Sequence, residues 1–250
     1  MELFVLGSGS GVPNPERGPS GLALSSPPHL LLLDGGGGSL WQMARLGLDY
    51  RRVDLFGLTH FHPDHASDLV PFLFALNYGS DLPRTRPLHL LGPPGLHRLH
   101  HLLQEAFGRW IEARTYPLQF HEMEEGRLSL PGLEVESRPM RHSTAAVGFR
   151  VEARGRSLVY SGDTDYCENI ILLGREADLL ILECSFPDER KVEGHLTPSL
   201  AGRIAREAGA RRLLLTHFYP VFQGVDIAGE CRREYSGPIL LAEDGMKVLI

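Results

Sequence analysis

The sequence predicts an α/β fold, and three observations carry that expectation. Short apolar runs end in polar, chemistry-bearing motifs; these runs alternate with stretches of helical character; and the second half of the chain repeats the plan of the first, with no linker between them. With 250 residues, 42% of them apolar, the chain can bury a substantial core, and one domain spanning 1–250 is expected.

Residues 2–7 form the first apolar run. Gly7-Ser8-Gly9-Ser10-Gly11-Val12-Pro13 interrupts it with glycines whose backbone freedom suits a tight loop at the mouth of a site. A phosphate-binding loop would carry a lysine, and none is present there. Residues 22–24 and 29–33 predict a hairpin around Pro27-Pro28, and Asp34-Gly35-Gly36-Gly37-Gly38 precedes a helix over 39–46. Asp34 is placed either to act in catalysis or, more often for such a carboxylate, to hold a neighbouring ligand. A buried strand over 53–58 then runs into His60-Phe61-His62-Pro63-Asp64-His65, followed by a helix over 67–76.

That motif is the densest chemistry in the chain. Side-chain direction repeats every second residue along a strand, so His60 and His62 share a side, while Asp64 and His65 fall on the turn into the next helix. One segment can thus serve two neighbouring metals, and imidazole with carboxylate suits zinc, manganese or iron rather than calcium or magnesium. A surface histidine patch is the plainer alternative.

Further along, 88–91 predicts a strand and 96–107 an amphipathic helix. His97, His100 and His101 on that helix are expected to form a solvated face, and His29, His89 and His121 to be structural. Alternating runs over 118–135 predict antiparallel strands. Strands over 147–151, 157–160, 178–182 and 212–215 lead to or follow His142, Asp163, Glu183 and His217, and Thr197-Pro198 opens a helix over 199–208 with an N-cap and a proline at its first position.

Composition sets limits on partners. A formal net charge of −6 gives no general attraction to nucleic acid, although a local basic strip stays open. Cys167, Cys184 and Cys231 are odd in number and widely spaced, which indicates neither a disulfide framework nor a thiolate site and fits a reducing cytoplasm. No export signal is recognised at the N-terminus, and no apolar run approaches the roughly 20 residues a membrane helix needs.

The series His60-Phe61-His62-Pro63-Asp64-His65, His142, Asp163 and His217 resembles the successive ligand motifs of the metallo-β-lactamase superfamily. Residues 7–13, Leu33-Asp34-Gly35-Gly36, Gly92-Pro93-Pro94-Gly95, Ser161-Gly162-Asp163-Thr164, Glu183-Cys184-Ser185-Phe186 and Gly194-His195-Leu196-Thr197 are most similar to the ribonuclease Z branch and its phosphodiesterase relatives. The resemblance implies a four-layer αβ/βα sandwich with two divalent metals, zinc or manganese, at the edge between the sheets. His60, His62 and His142 would hold one ion, Asp64, His65 and His217 the other, and Asp163 would bridge them. His195 would be the extra catalytic histidine, oriented by Glu183, unless it merely precedes a helix; Asp64 would also steer the attacking water. Oxygen-reducing di-iron relatives usually carry glutamate where His62 stands, so the imidazole favours hydrolysis.

The resulting expectation is a dinuclear phosphodiesterase that attacks a small or cyclic phosphodiester with a hydroxide shared by the metals. Ribonuclease Z-type cleavage of RNA 3′ ends, hydrolysis of carboxylic esters, lactones or thioesters, and a non-catalytic scaffold are the competing readings. The long arm with which transfer-RNA processing enzymes often grip RNA has no room between His142 and Asp163, which leaves 82–87 and 187–193 as lesser candidates for RNA contact. A homodimer is implied by family precedent.

Overall fold

In the computed structural model, which describes residues 1–79, 83–222 and 224–250, two sheets lie face to face with helices on their outer sides. The first contains β1 (Glu2–Gly7), β2 (Gly21–Ser26), β3 (His29–Gly35), β4 (Leu55–Gly57), β5 (Leu88–Gly92), β6 (Leu118–Glu122) and, beside β1, β14 (Lys247–Leu249). The second runs from β7 (Gly126–Leu130) through β8 (Leu133–Pro139), β9 (Val147–Ala153), β10 (Arg156–Tyr160), β11 (Leu179–Glu183) and β12 (Leu213–Thr216) to β13 (Ile239–Leu241).

Both faces of each sheet are covered, which is why the strands are apolar runs rather than clean alternations. In β1, Leu3 and Val5 meet Leu133, Val147, Phe149 and Ile181 in the core between the sheets, while Phe4 and Leu6 point into a separate core outside the first sheet. That outer core is closed by α1 (Ser39–Arg45), α3 (Leu69–Tyr78) and α4 (Leu96–Phe107). A matching core outside the second sheet packs Val159, Leu180 and Leu213 against α5 (Glu168–Leu173), α6 (Pro198–Ala208) and α7 (Ile227–Arg232). The four layers are those expected. Helix α6 is set as its sequence dictates: the Thr197 side chain accepts from the Leu200 amide, Pro198 stands at the first position, and Gly209 adopts the left-handed conformation at its end. Among the described residues no helix is long and apolar enough to cross a membrane.

Several elements differ from expectation. The run 118–135 is not one antiparallel set: Leu118–Glu122 pairs in parallel with Leu88–Gly92 at the edge of the first sheet, and only Gly126–Leu130 and Leu133–Pro139 form a hairpin, in the second. The chain changes sheet there, and short strands read alike whichever sheet receives them. The helix expected over 67–76 is α3, Leu69–Tyr78; a separate helical turn, α2 (Pro63–Ala66), precedes it, and between the two the Asp68 carboxylate accepts from the Gly38 and Leu40 amides at the start of α1. Asp64 and His65 consequently lie within a helical turn. Strand β4 is shorter than 53–58, although the Asp54 and Leu58 amides still bond to Leu30 and Leu91. His97 and His101 are exposed as expected, whereas His100 is half-buried, edge-on to Phe120. His29 pairs with Asp54, and His89 with His121. Leu82, the first residue of 82–87, lies outside the described residues.

Candidate metal centre

Eight side chains from five segments of the chain, four of them within residues 60–65, converge where the carboxyl ends of β10, β11 and β12 meet the segment after β4. His60, His62, His142 and Asp163 place one donor atom each within 4.8 Å of one another; Asp64, His65 and His217 do the same, as do Asp163, His195 and His217. Asp163 divides its oxygens between the groups. Its Oδ1 lies 3.3 Å from His65 Nε2 and 3.5 Å from His217 Nε2, and its Oδ2 lies 3.8 Å from His60 Nε2 and 3.9 Å from His142 Nε2.

The ring tautomers follow from what holds the other nitrogens. Asp34 Oδ2 accepts from His65 Nδ1 at 2.7 Å, Gly194 O from His142 Nδ1 at 2.9 Å, and Ser185 Oγ from His217 Nδ1 at 2.9 Å. Thr59 Oγ1 donates to Asp34 and so accepts from His60 Nδ1 at 3.1 Å. Each of these four rings, fixed at Nδ1–H, turns an Nε2 lone pair inward. The result is a crowd of inward-facing ring nitrogens: His65 Nε2 faces His217 Nε2 at 3.1 Å, and His142 Nε2 lies 3.3 Å from His62 Nδ1. His60 Nε2 and Asp163 Oδ1 are buried with no hydrogen-bond partner. Buried acceptors crowded together are costly unless a cation lies between them, so the residues present fit divalent metal.

Electrostatics agree. Burial, reinforced by His65, pushes the His60 pKa down to about 2, so this imidazole is neutral and able to ligate. Burial would raise Asp163, but His217 and His65 outweigh it and hold the carboxylate ionised well below its usual range. Burial likewise opposes charge on His65, yet Asp163 and Asp34 on either side raise its pKa well above the ordinary value, as an anionic cradle does to any cation it can recruit.

Asp34 is the hub behind the cluster. At the end of β3, in left-handed backbone with φ 55°, it accepts from the Thr59 amide at 2.7 Å, the Thr59 hydroxyl at 2.8 Å, His65 Nδ1 and the Tyr160 hydroxyl at 2.8 Å. Asp34→Asn replaces one acceptor by a donor among four donors, and is expected to weaken metal binding by about 10- to 100-fold in competition with a chelating dye. Gly162, at φ 57°, brings the backbone against Thr59, and a Cβ there would sit 2.5 Å from Thr59 Cβ and Oγ1. Gly162→Ala is therefore expected to cost about 2–4 kcal/mol in urea unfolding, from strain plus overpacking.

On the open side, His195 donates from Nδ1 to Glu183 Oε1 at 2.9 Å, and Glu183 Oε2 accepts from Ser185 Oγ at 2.5 Å. The loop bearing His195 is latched by Asp165, which accepts from Lys191 Nζ at 2.8 Å and the Gly194 amide at 2.9 Å. The Gly11 amide donates to Asp64 Oδ2 at 2.9 Å, which sets the glycine-rich loop beside the site. Phe186 and Tyr219 complete this rim. The sequence assigns no role to Thr59, Tyr160 or Tyr219, whose local context does not distinguish them, and Ser185 enters only as part of the motif Glu183-Cys184-Ser185-Phe186. A cleft of about 860 Å³ lies elsewhere, lined by Arg127, Arg150, Arg156 and Arg211, and these guanidinium groups are paired with carboxylates.

The fold and this cluster define a metal-dependent hydrolase. The chain belongs to the β-lactamase superfamily: the family model described as "Beta-lactamase superfamily domain" matches residues 30–218. It is 32% identical to the ribonuclease Z of Myxococcus xanthus, over 99% of this chain and 97% of that one. Among solved structures it is similar to the metallo-beta-lactamase fold protein YhfI of Bacillus subtilis, with a TM-score of 0.84, 26% identity and coverage of 99% and 98%. It is also similar to the short form of human tRNase Z, with a TM-score of 0.80, 26% identity and coverage of 100% and 99%.

Proposed function

We propose that the protein is a dinuclear phosphodiesterase acting on small or cyclic phosphodiesters. The observation that carries this reading is the division of Asp163 between two histidine groups, which matches one bridging carboxylate between two ions. His60, His62 and His142 would hold one ion and Asp64, His65 and His217 the other, with zinc the first candidate and manganese the second. Such a pair, when bound, lowers the pKa of water and neutralises phosphoryl charge.

The chain's own residues do the rest. Asp64 orients the attacking water. A water oxygen bonds to phosphorus and releases its proton to solvent, while the bond to the leaving oxygen breaks and that oxygen keeps the electron pair. His195 Nε2 then gives it a proton, and Glu183 keeps the ring aimed and favours its charged form: burial opposes that charge, but Glu183 outweighs it and raises the His195 pKa.

A second reading, cleavage of RNA at 3′ ends, is favoured by the full-length similarity to enzymes named ribonuclease Z and tRNase Z. Against it, residues 143–162 form only the turn before β9, the β9–β10 hairpin and a short loop, with no protruding arm. Hydrolysis of bis-p-nitrophenyl phosphate, a cyclic nucleotide, a thioester, a lactone and precursor transfer RNA, each with and without added zinc or manganese, separates the readings. Metal-dependent turnover of the small diesters is expected. Turnover of carbonyl esters alone, or of precursor RNA alone, overturns the proposal.

A further inference from the structure

The rim of the centre carries two aromatic rings that the chemistry above does not use. Phe186 follows β11 and Tyr219 follows β12, and their rings stack with centroids 4.7 Å apart at 26°. Both stand edge-to-face to His195, at 5.5 Å for Phe186 and 6.1 Å for Tyr219, and Tyr219 is 5.7 Å from His217. Neither ring is sealed into a core; both are half-buried and keep surface toward solvent. The Tyr219 hydroxyl makes no hydrogen bond among the described residues, and a neutral phenol there remains a free donor.

We infer that Phe186 and Tyr219 form the leaving-group subsite, and that the substrate presents an aromatic ring there, of which a nucleobase one sugar away from the scissile phosphate is the fitting class. This rests on the phosphodiesterase reading. The side is set by His195: the group that protonates the departing oxygen touches both rings, so the portion of substrate lying against them is the portion that leaves. A half-exposed aromatic stack gives a flat apolar face to any base, and the phenol gives one hydrogen bond, which together select for a ring without selecting strongly among bases.

The test uses the metal-replete protein and two diesters, the methyl ester of adenosine 5′-phosphate and that of ribose 5-phosphate. Wild type is expected to favour the adenosyl ester by about tenfold or more in kcat/KM, the scale of base stacking, and to release adenosine with methyl phosphate rather than methanol with the nucleotide. Phe186→Leu should lose most of that preference through KM, and Phe186→Trp should retain it, which distinguishes recognition from a mere packing role against His195. Calorimetry gives a readout separate from turnover: adenosine should bind wild type more tightly than ribose does, and Phe186→Leu should lose that difference. Equal use of the two esters by wild type, methanol as the product, or a preference untouched in Phe186→Leu overturns this inference while leaving the phosphodiesterase reading in place. Carbonyl-ester turnover with no hydrolysis of either diester overturns the reading on which it rests.

Discussion

Asp163→Asn is expected to lower metal-dependent hydrolysis about a thousandfold or more, equivalent to roughly 4 kcal/mol of lost transition-state stabilisation, and to bring bound metal below two ions per chain. The carboxylate is the one ligand candidate shared by both groups, and it is fully charged in a buried site. An amide of the same shape keeps one oxygen and turns an NH2 toward either His65 and His217 or His60 and His142, where lone pairs already wait. Whichever way it lies, one ion loses a ligand, and both lose the counter-charge that lets five imidazoles and two carboxylates share so small a volume. Mass-spectrometric metal counting beside the rate measurement checks this. Two ions per chain and a rate within tenfold of wild type would remove Asp163 from the bridging role.

The members of the His/Asp cluster were legible in the sequence because metal binding needs particular side chains at the ends of apolar runs, and both features are local. His60, His62, Asp64 and His65 sit within six residues, and Asp163 and His217 each follow a buried strand. Asp34 was legible only as a carboxylate in the right kind of place; its four donors come from three residues, Thr59, His65 and Tyr160, all at least 25 positions away. Tyr160 illustrates what was hidden. Within β10 it reads as one more apolar strand residue, and only the facing of the two sheets brings its hydroxyl to Asp34. Strand placement fails for the same reason. Lys247–Leu249 is three residues long and acquires its structure by pairing with β1 at the opposite end of the chain, so no periodicity announces it. The start of the helix after His65 is likewise tied by a tertiary bond, Asp68 to the start of α1, that no window around residue 68 contains.

His195→Ala is expected to reduce kcat by about 10²- to 10⁴-fold on a dialkyl phosphodiester, the usual span for loss of a positioned general acid, with a much smaller loss on bis-p-nitrophenyl phosphate. The difference between substrates is the informative part. A nitrophenolate departs without a proton, whereas an alkoxide does not, so a residue that only helped to fold the loop or bind phosphate would slow both alike. Glu183→Gln extends the argument to pH. The Glu183 carboxylate 2.9 Å from Nδ1 raises the His195 pKa above its ordinary value of 6.5, against the opposing effect of burial. A general acid works while protonated; with a raised pKa the acid form persists to higher pH, and activity falls as pH rises through that pKa. Removing the negative charge should move this alkaline limb of kcat to lower pH, toward or below the ordinary histidine value. His195→Ala should abolish the limb altogether. An alkaline limb that stays in place in Glu183→Gln would show that another group supplies the proton, and the pairing of Glu183 with His195 would then be structural.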